Sequence, residues 1–435
     1  MRSTPCGKVS VLAFIFCLGL ASNSLAVDEK TAFRIEKSIK EHYKEIINIR
    51  RFLHMNPELS NREYETAKLI ASELLSLGFE LRTGVAKTGV VALLRGSQPG
   101  QTVAIRADMD ALPIQEQTDL PYKSLNPGVM HACGHDIHTA IALGTAMVLF
   151  DIKDKIKGRI KFIFQPAEEG PPPGEEGGAR LMIEEGVLEN PPVGAIFGLH
   201  VWPENVGKVA FSDGSVMASS DRFKITILGK SAHGARPQEG IDAIVVAAQV
   251  IQGIQSIVSR STNPTDPSVV TIGKIKGGTR ANIIAERATL EGTVRTLTAT
   301  NRDKMEQSIK DVVRGITESF GANSSVQYSR GAPPLYNHPE LAKNMLPTLS
   351  NVVGKFNVID FEPQMVAEDF SYFCQKIPGF YFMLGAKDPQ NNNPAPIHNP
   401  YFNPDERSIP IGIKIMSHLL LDFLEFQEHR EKSSL

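Results

Sequence analysis

Residues 130–139 read MHACGHDIHT, placing three histidines, an aspartate and a cysteine within ten positions. Thiolate and imidazole are the donors that borderline divalent metals prefer, and such crowding is hard to explain as idle surface. Cys133 and His135 can face one point if the chain turns sharply between them, which Gly134 permits. Adjacent carboxylates, Glu168 and Glu169, follow in QPAEEG, His200 lies in GLHVWP, and His398 lies in PIHNPYFNPDE. A lone histidine is more often a structural residue than a ligand, so the set carries the argument. One Cys, three His and one Glu are more donors than a tetrahedral ion needs, and two ions sharing a bridging ligand use them all. The spare carboxylate of the Glu pair then suits metal-assisted hydrolysis, holding a water against the metals.

The elements that must position these residues alternate. Helical periodicity over about 31–55 and 63–77 is followed by strand-like runs GVVALLRG and TVAIRAD, a helix over 136–150, the strand RIKFIFQP, a helix near 176–186 and the strand AIFGLHV. This alternation predicts an α/β fold, a mixed sheet with helices on both faces. Asp108, the Glu168 and Glu169 pair, and His200 are expected at or just past strand ends, where the crevice of such a sheet lies. From about 218 to 330 the order becomes strand, helix, strand, strand, helix, strand, the ferredoxin-like βαββαβ pattern of a complete small domain. The helix and strand alternation then resumes, with FYFMLGA as a buried strand and an amphipathic last helix from about 405. The predicted organisation is a catalytic domain of 27–217 and 331–435, interrupted by a smaller inserted domain at 218–330.

At 435 residues two domains are the natural expectation. Apolar content of 42%, charged content of 22% and a net charge of -2 describe an ordinary globular protein and give no electrostatic reason for a nucleic-acid partner. Arg2 and Lys8 precede the apolar run VLAFIFCLGL, and SLA at 24–26 has small residues at the usual cleavage positions. This predicts a secretory signal peptide over 1–26, export to a periplasm or the medium, and no membrane association once it is removed. The apolar run is short for a membrane span, and bulky Phe16 before Cys17 does not fit a lipidation box. Cleavage removes Cys6 and Cys17 and leaves Cys133 and Cys374. Exported cysteines often pair in a disulfide, but the surroundings of Cys133 favour a metal-ligand use instead.

RADMDALP, MHACGHDIHTA, QPAEEG, GLHVWP, SAHGARP, LEGTVRT, AEDFSYF and HNPYFNPDE, in that order, resemble the M20 metallopeptidases. More narrowly they are similar to the amidohydrolase branch that includes hippurate hydrolases, N-acyl-amino-acid amidohydrolases and plant auxin-conjugate hydrolases. The resemblance covers nearly the whole chain after the leader. It implies that Cys133, His135, Glu169, His200 and His398 bind two divalent ions and that Glu168 is the general base. Where other branches carry a His-x-Asp motif this chain has DMD at 108–110, so the resemblance gives Asp108 no ligand role, and Asp110 is expected to orient the site. His131, Asp136 and His138 are expected to support the ligands or the fold.

In SAHGARP the resemblance makes His233 a lid histidine that reaches the substrate carbonyl, usually from a dimer partner. Asn282 and Arg295 match positions that hold the substrate's amide and carboxylate, for which the arginine fork is suited. The implied reaction is hydrolysis of a small N-acyl amino acid by a homodimer. Zinc is favoured by the Cys ligand, manganese equally suits a His and carboxylate site, and cobalt or nickel also fit. The alternatives are a dipeptidase or carboxypeptidase of the same superfamily, a hydrolase with Cys133 as nucleophile, and a non-catalytic metal-binding protein.

Overall fold

A computed structural model describes residues 27–433, and the leader read at 1–26 lies outside the described residues. The chain opens with α1 (Glu29–Met55), α2 (Tyr64–Ser76), β1 (Glu80–Val85), β2 (Gly89–Arg95) and β3 (Gln98–Asp108). It continues through α3 (His135–Asp151), β4 (Lys157–Gln165), α4 (Gly178–Glu184), β5 (Ala195–Asn205), β6 (Val209–Phe211) and β7 (Ser215–Met217). Next come β8 (Asp221–Leu228), α5 (Ala243–Ser256), β9 (Ser268–Gly277), β10 (Arg287–Thr296), α6 (Ala299–Ser319) and β11 (Asn323–Arg330). The last elements are β12 (Leu335–Tyr336), α7 (Pro339–Val353), β13 (Val358–Asp360), α8 (Ser371–Cys374), β14 (Gly379–Lys387) and α9 (Ser408–Ser433).

Eight strands form one mixed sheet in the order β1, β2, β4, β3, β5, β14, β6, β13. Its centre, β4, β3, β5 and β14, is parallel, and these strands are buried along most of their length. That is why they read as continuous apolar runs rather than alternating ones. Side chains still alternate between two cores. Val103, Ile105 and Ala107 of β3 join one face with α1, α3, α7 and α9, while Ala104 faces the other with α4 and α8. Arg106 and Asp108 follow Ala104 at intervals of two, so the second face carries charge toward the strand end. Helix α3 is buried at every position from His135 to Leu149 and so has no face turned to solvent.

The connection after β3 leads to β4 on one side and the connection after β5 leads to β6 on the other, which makes the gap between β3 and β5 a switch point of the sheet. Strand β5 is longer than its apolar run. Pairing with β14 continues through Val201 and Trp202 to Asn205, with an irregularity that accommodates Pro203, which has no N–H to donate. His200 therefore lies within the strand, not at its end. The register Val103↔Ala195 and Ile105↔Phe197, continued by three residues, nevertheless sets His200 level with Asp108 at the end of β3.

The second sheet has the order β11, β8, β10, β9, antiparallel throughout, as a ferredoxin-like βαββαβ unit requires. Helices α5 and α6 cover one face through a separate core that includes Ile225, Val250, Leu290 and Ile309. Two connections enter this unit, and they are pinned together. Arg302 grips Asp221 at 2.6 Å and donates to the Gly331 carbonyl at 2.7 Å, while Ser220 N–H donates to the Ala332 carbonyl.

Candidate metal centre

Gly134 has φ +88°, and a Cβ there would lie 2.3 Å from a methyl of Val201, so both backbone and space demand glycine. The turn sets Cys133 against β5 and starts α3 at His135. Cys133 Sγ lies 3.3 Å from His200 Nε2 and 3.3 Å from His398 Nε2. His398 is itself left-handed (φ +61°), and its N–H donates to the Ala132 carbonyl at 2.7 Å, drawing the late loop over the early one. Glu169 Oε1 is 3.1 Å from His398 Nε2, and His135 Nε2 is 3.9 Å from Glu168 Oε2. Of the five donor triads among the described residues, two share Cys133, one with His135 and His200 and one with Glu169 and His398, the donor atoms of each lying within 4.8 Å of one another.

Hydrogen bonding decides which imidazole nitrogens remain available. His135 Nδ1 faces the Asp110 carbonyl at 2.9 Å and His200 Nδ1 faces the Val201 carbonyl at 2.7 Å. Carbonyls only accept, so both rings carry the proton on Nδ1 and keep an Nε2 lone pair for the centre. His138 differs: Nδ1 donates to Asp108 at 2.6 Å and Nε2 accepts the Val201 N–H at 2.9 Å. With both nitrogens engaged it ties α3 to β5 and has no lone pair to offer. Asp136 takes Arg50 at 3.0 Å and His54 at 2.7 Å, joining α1 to the first turn of α3. Both nitrogens of buried His131 lack partners, and burial pushes its pKa down to about 4, so it is neutral.

The electrostatics ask for positive charge. Burial, then the carboxylates of Glu169, Glu168 and Asp108, push the Cys133 thiol well above its usual range. Burial, then Glu368, Glu169 and Asp369, push Glu168 up in the same way. Burial opposes protonation of His135, but Asp108 and Asp110 outweigh it and raise the pKa to about 10. A cation at the centre reverses each of these shifts. Among the described residues, His135 Nε2 and Glu169 Oε1 are buried without a hydrogen-bond partner, with His398 Nε2 3.1 Å from the latter. Orphaned buried atoms on donors of these types fit divalent metal.

The Glu pair is delivered by a strained turn. Ala167 has φ +53°, and three successive N–H groups are bound by two carboxylates: Ala167 by Glu63 at 2.9 Å, and Glu168 and Glu169 by the two oxygens of Asp110 at 3.1 Å each. Glu63 also accepts from Thr88 at 2.6 Å, and Asp110 from Ser60 at 2.7 Å. Asp110 thereby contacts both the His135 ring and the turn, while Asp108 is committed to Arg106 at 2.7 Å and to His138. We expect Glu63→Ala to lower kcat at least tenfold with KM little changed and to cost about 1–3 kcal/mol of stability, because the Ala167 N–H and the Thr88 hydroxyl lose their buried acceptor. Kinetics and denaturant melts check this, and unchanged kcat would show that the turn holds without Glu63.

Sequence reading did not single out Glu63, Arg106 or Glu368. Buried Arg106 donates to Gln165, Asp108, Glu368 and Asp369 at 2.7–2.9 Å, and the Asp369 N–H points at Glu168 Oε1 from 3.4 Å. The available signal was the alternation of β3, which puts Arg106 on the face of Asp108. Of the expected site residues, Cys133, His135, Glu168, Glu169, His200 and His398 come together. His233 and Asn282 meet each other on the second sheet's unit, where Gly234 N–H donates to the Asn282 carbonyl at 2.8 Å, and both side chains are exposed. Arg295 is half-buried on β10 with Nη1 3.5 Å from the Ser219 carbonyl. Among the described residues no hydrogen bond or ion pair joins these three to the centre. Cys133 and Cys374 are both free thiols.

The profile of peptidase family M20/M25/M40 matches residues 104–422. Thermostable carboxypeptidase 2 of Saccharolobus solfataricus is 42% identical over 393 residues, covering 89% of this chain and 97% of that protein. The N-acetyl-L-cysteine deacetylase of Bacillus subtilis is 41% identical over 367 residues, covering 84% and 85%. Among solved structures, the Bacillus subtilis YXEP protein, described as a dinuclear metal binding peptidase from the M20 family, superposes with a TM-score of 0.77 at 37% identity, covering 89% of this chain and 99% of that one.

Proposed function

The chain belongs to peptidase family M20/M25/M40, and from that premise we propose that it is a metal-dependent amidohydrolase that cleaves N-acyl amino acids to a carboxylic acid and a free amino acid. The observation that carries the reading is a carboxylate, Glu168, standing beside two donor triads that share Cys133. We assign Cys133, His135, Glu169, His200 and His398 as ligands of two divalent ions. Zinc or manganese best match these donors, and cobalt or nickel also fit.

Bound by these residues, the ions would supply Lewis acidity to the attacking water and to the amide carbonyl. Glu168 takes the proton of the attacking water and returns it to the leaving nitrogen. Asp110 holds the turn that aims Glu168 and the ring of His135. His233 donates to the oxygen that gains charge, and Asn282 and Arg295 hold the substrate's amide and carboxylate. In this reading residues 218–330 are a lid and dimerisation domain between the catalytic segments 27–217 and 331–435, and the enzyme is an exported homodimer. Exposed Ile244, Val245, Ile275 and Ile283 on the 218–330 unit support pairing through it.

The Cys133 nucleophile fares poorly because a thiol held neutral by burial and three carboxylates is a weak nucleophile. A simple binding protein has no use for Glu168. Treatment with a strong chelator is expected to abolish amide hydrolysis, with recovery on adding zinc or manganese to the dialysed protein. Irreversible loss that instead tracks alkylation of Cys133 in the metal-free chain would favour the thiol reading. The likeness to a carboxypeptidase sustains the dipeptidase or carboxypeptidase alternative. A release assay over N-acyl amino acids and blocked and free dipeptides, run after metal analysis, tests the substrate class. Cleavage confined to peptides would move the reading to a peptidase.

A further inference from the structure

Helix α9 buries a carboxylate that, among the described residues, has no cation beside it. Asp422 is 1% exposed. Its Oδ2 accepts from the Thr348 hydroxyl at 2.6 Å and its Oδ1 accepts from the Val27 N–H at 3.0 Å. The charged side chain that acts on it is Glu425, one turn further along and of the same sign, and no described Lys, Arg or His pairs with it. Burial pushes its carboxyl up to about 7, with the hydrogen bonds from Thr348 and Val27 in opposition. Asp108, Asp136 and Asp221, equally buried, each have an arginine within 3.0 Å. A buried carboxylate without a counter-ion is costly.

The group facing it is the backbone nitrogen of Val27, the residue that follows SLA at 24–26. The Val27 side chain packs against the main core, and Asp28 caps α1 by accepting the Thr31 N–H at 2.8 Å. Two independent observations thus meet at one bond, the small residues Ser24 and Ala26 at the positions a leader peptidase reads, and an unneutralised carboxylate 3.0 Å from the next nitrogen.

We propose that the chain is processed between Ala26 and Val27, and that the Val27 α-ammonium is the counter-ion Asp422 lacks. A leader peptidase hydrolyses one peptide bond; water gives its hydroxyl to the Ala26 carbonyl carbon and its proton to the Val27 nitrogen. That nitrogen, protonated at neutral pH, then forms an ion pair where it donated as an amide. The new terminus fastens α1 to α9 and, through Thr348, to α7, so removal of the leader completes the fold. The inference rests on the export reading.

The test expresses the full chain with its own leader in an exporting host and determines the first residue by intact mass and N-terminal sequencing. Val27 is expected. A chain that keeps Met1 overturns both the export reading and this inference, whereas processing at another bond overturns this inference alone. Melting is then compared between chains that start at Val27 and chains that retain Ala26, each with Asp422 and with Asp422→Asn. Retaining Ala26 is expected to lower Tm by about 3–6 °C with Asp422 and by less than about 1 °C with Asn. Equal changes in the two backgrounds overturn the ion pair. If Asp422→Asn does not fold, acylation of the Val27 amine is measured instead, expected at least tenfold slower in the folded chain than in urea. Equal rates overturn the proposal.

Discussion

Replacing Glu168 by Gln is expected to leave a folded protein with both metals and to lower kcat by about 10³–10⁴, whereas Glu169→Gln is expected to lose metal. The two residues are neighbours in one turn, so the contrast isolates chemistry from folding. Both backbones stay fixed by Asp110 whichever side chain changes, and Gln preserves size. The side chains diverge. Glu169 Oε1 is buried beside His398 without a hydrogen bond, the situation of an atom that ligates, and a neutral amide oxygen is a much weaker donor to a divalent ion. Glu168 lies 3.9 Å from His135 on one oxygen and takes the Asp369 N–H at 3.4 Å on the other, with 10% of its side chain exposed. An amide oxygen still accepts that N–H, but it cannot take a proton from water or give one to a leaving nitrogen. Both proton transfers fail together, which is why the expected loss lies at the upper end of the range for general acid–base groups. Metal content by mass spectrometry and kcat on an N-acyl amino acid measure the two effects. If the phenotypes exchange, the roles within the pair are reversed.

What was legible in the sequence follows from how local each signal is. Cys133 and His135 are two residues apart across a glycine, and Glu168 with Glu169 and His200 follow apolar runs that a sheet must bury, so their convergence needs only the α/β crevice. The ferredoxin-like unit was legible because each strand and helix repeats at its own period. Glu63, Arg106 and Glu368 were not. A charged residue beside or within an apolar run reads as an exposed position, and only the tertiary fold brings the Glu368 carboxylate against Arg106, 262 positions away. Short strands such as β6 and β13 are strands because a neighbour pairs with them, and three residues carry no period. The extension of β5 past His200 has the same cause: its partner β14 continues the ladder where the apolar signal stops.

The placement of His233 makes a second strong expectation, that activity is shared between two chains. Ala235 N–H donates to His233 Nδ1 at 3.1 Å, which puts the ring proton on Nε2, the tautomer able to donate to a carbonyl oxygen gaining charge. Gly234 is bonded to the Asn282 carbonyl, so this donor and Asn282 move as one surface with exposed Ile283. Within one chain the ring is exposed and, among the described residues, its side chain makes no contact with the ligand cluster. Losing such a donor costs roughly 10²–10³ in rate, so His233→Ala should be nearly inactive with its metals in place. Mixing it with Glu168→Gln, also inactive, then discriminates. In a mixed dimer whose sites borrow His233 from the partner, one of the two sites has both residues intact. Random exchange makes about half the dimers mixed, so about a quarter of wild-type activity should return. If His233 serves its own chain, every site lacks one residue and nothing returns. No recovery after subunit exchange has been demonstrated, or full activity in a chain that stays monomeric, would sink the shared site and leave closure of the 218–330 unit over its own centre as the way His233 reaches substrate.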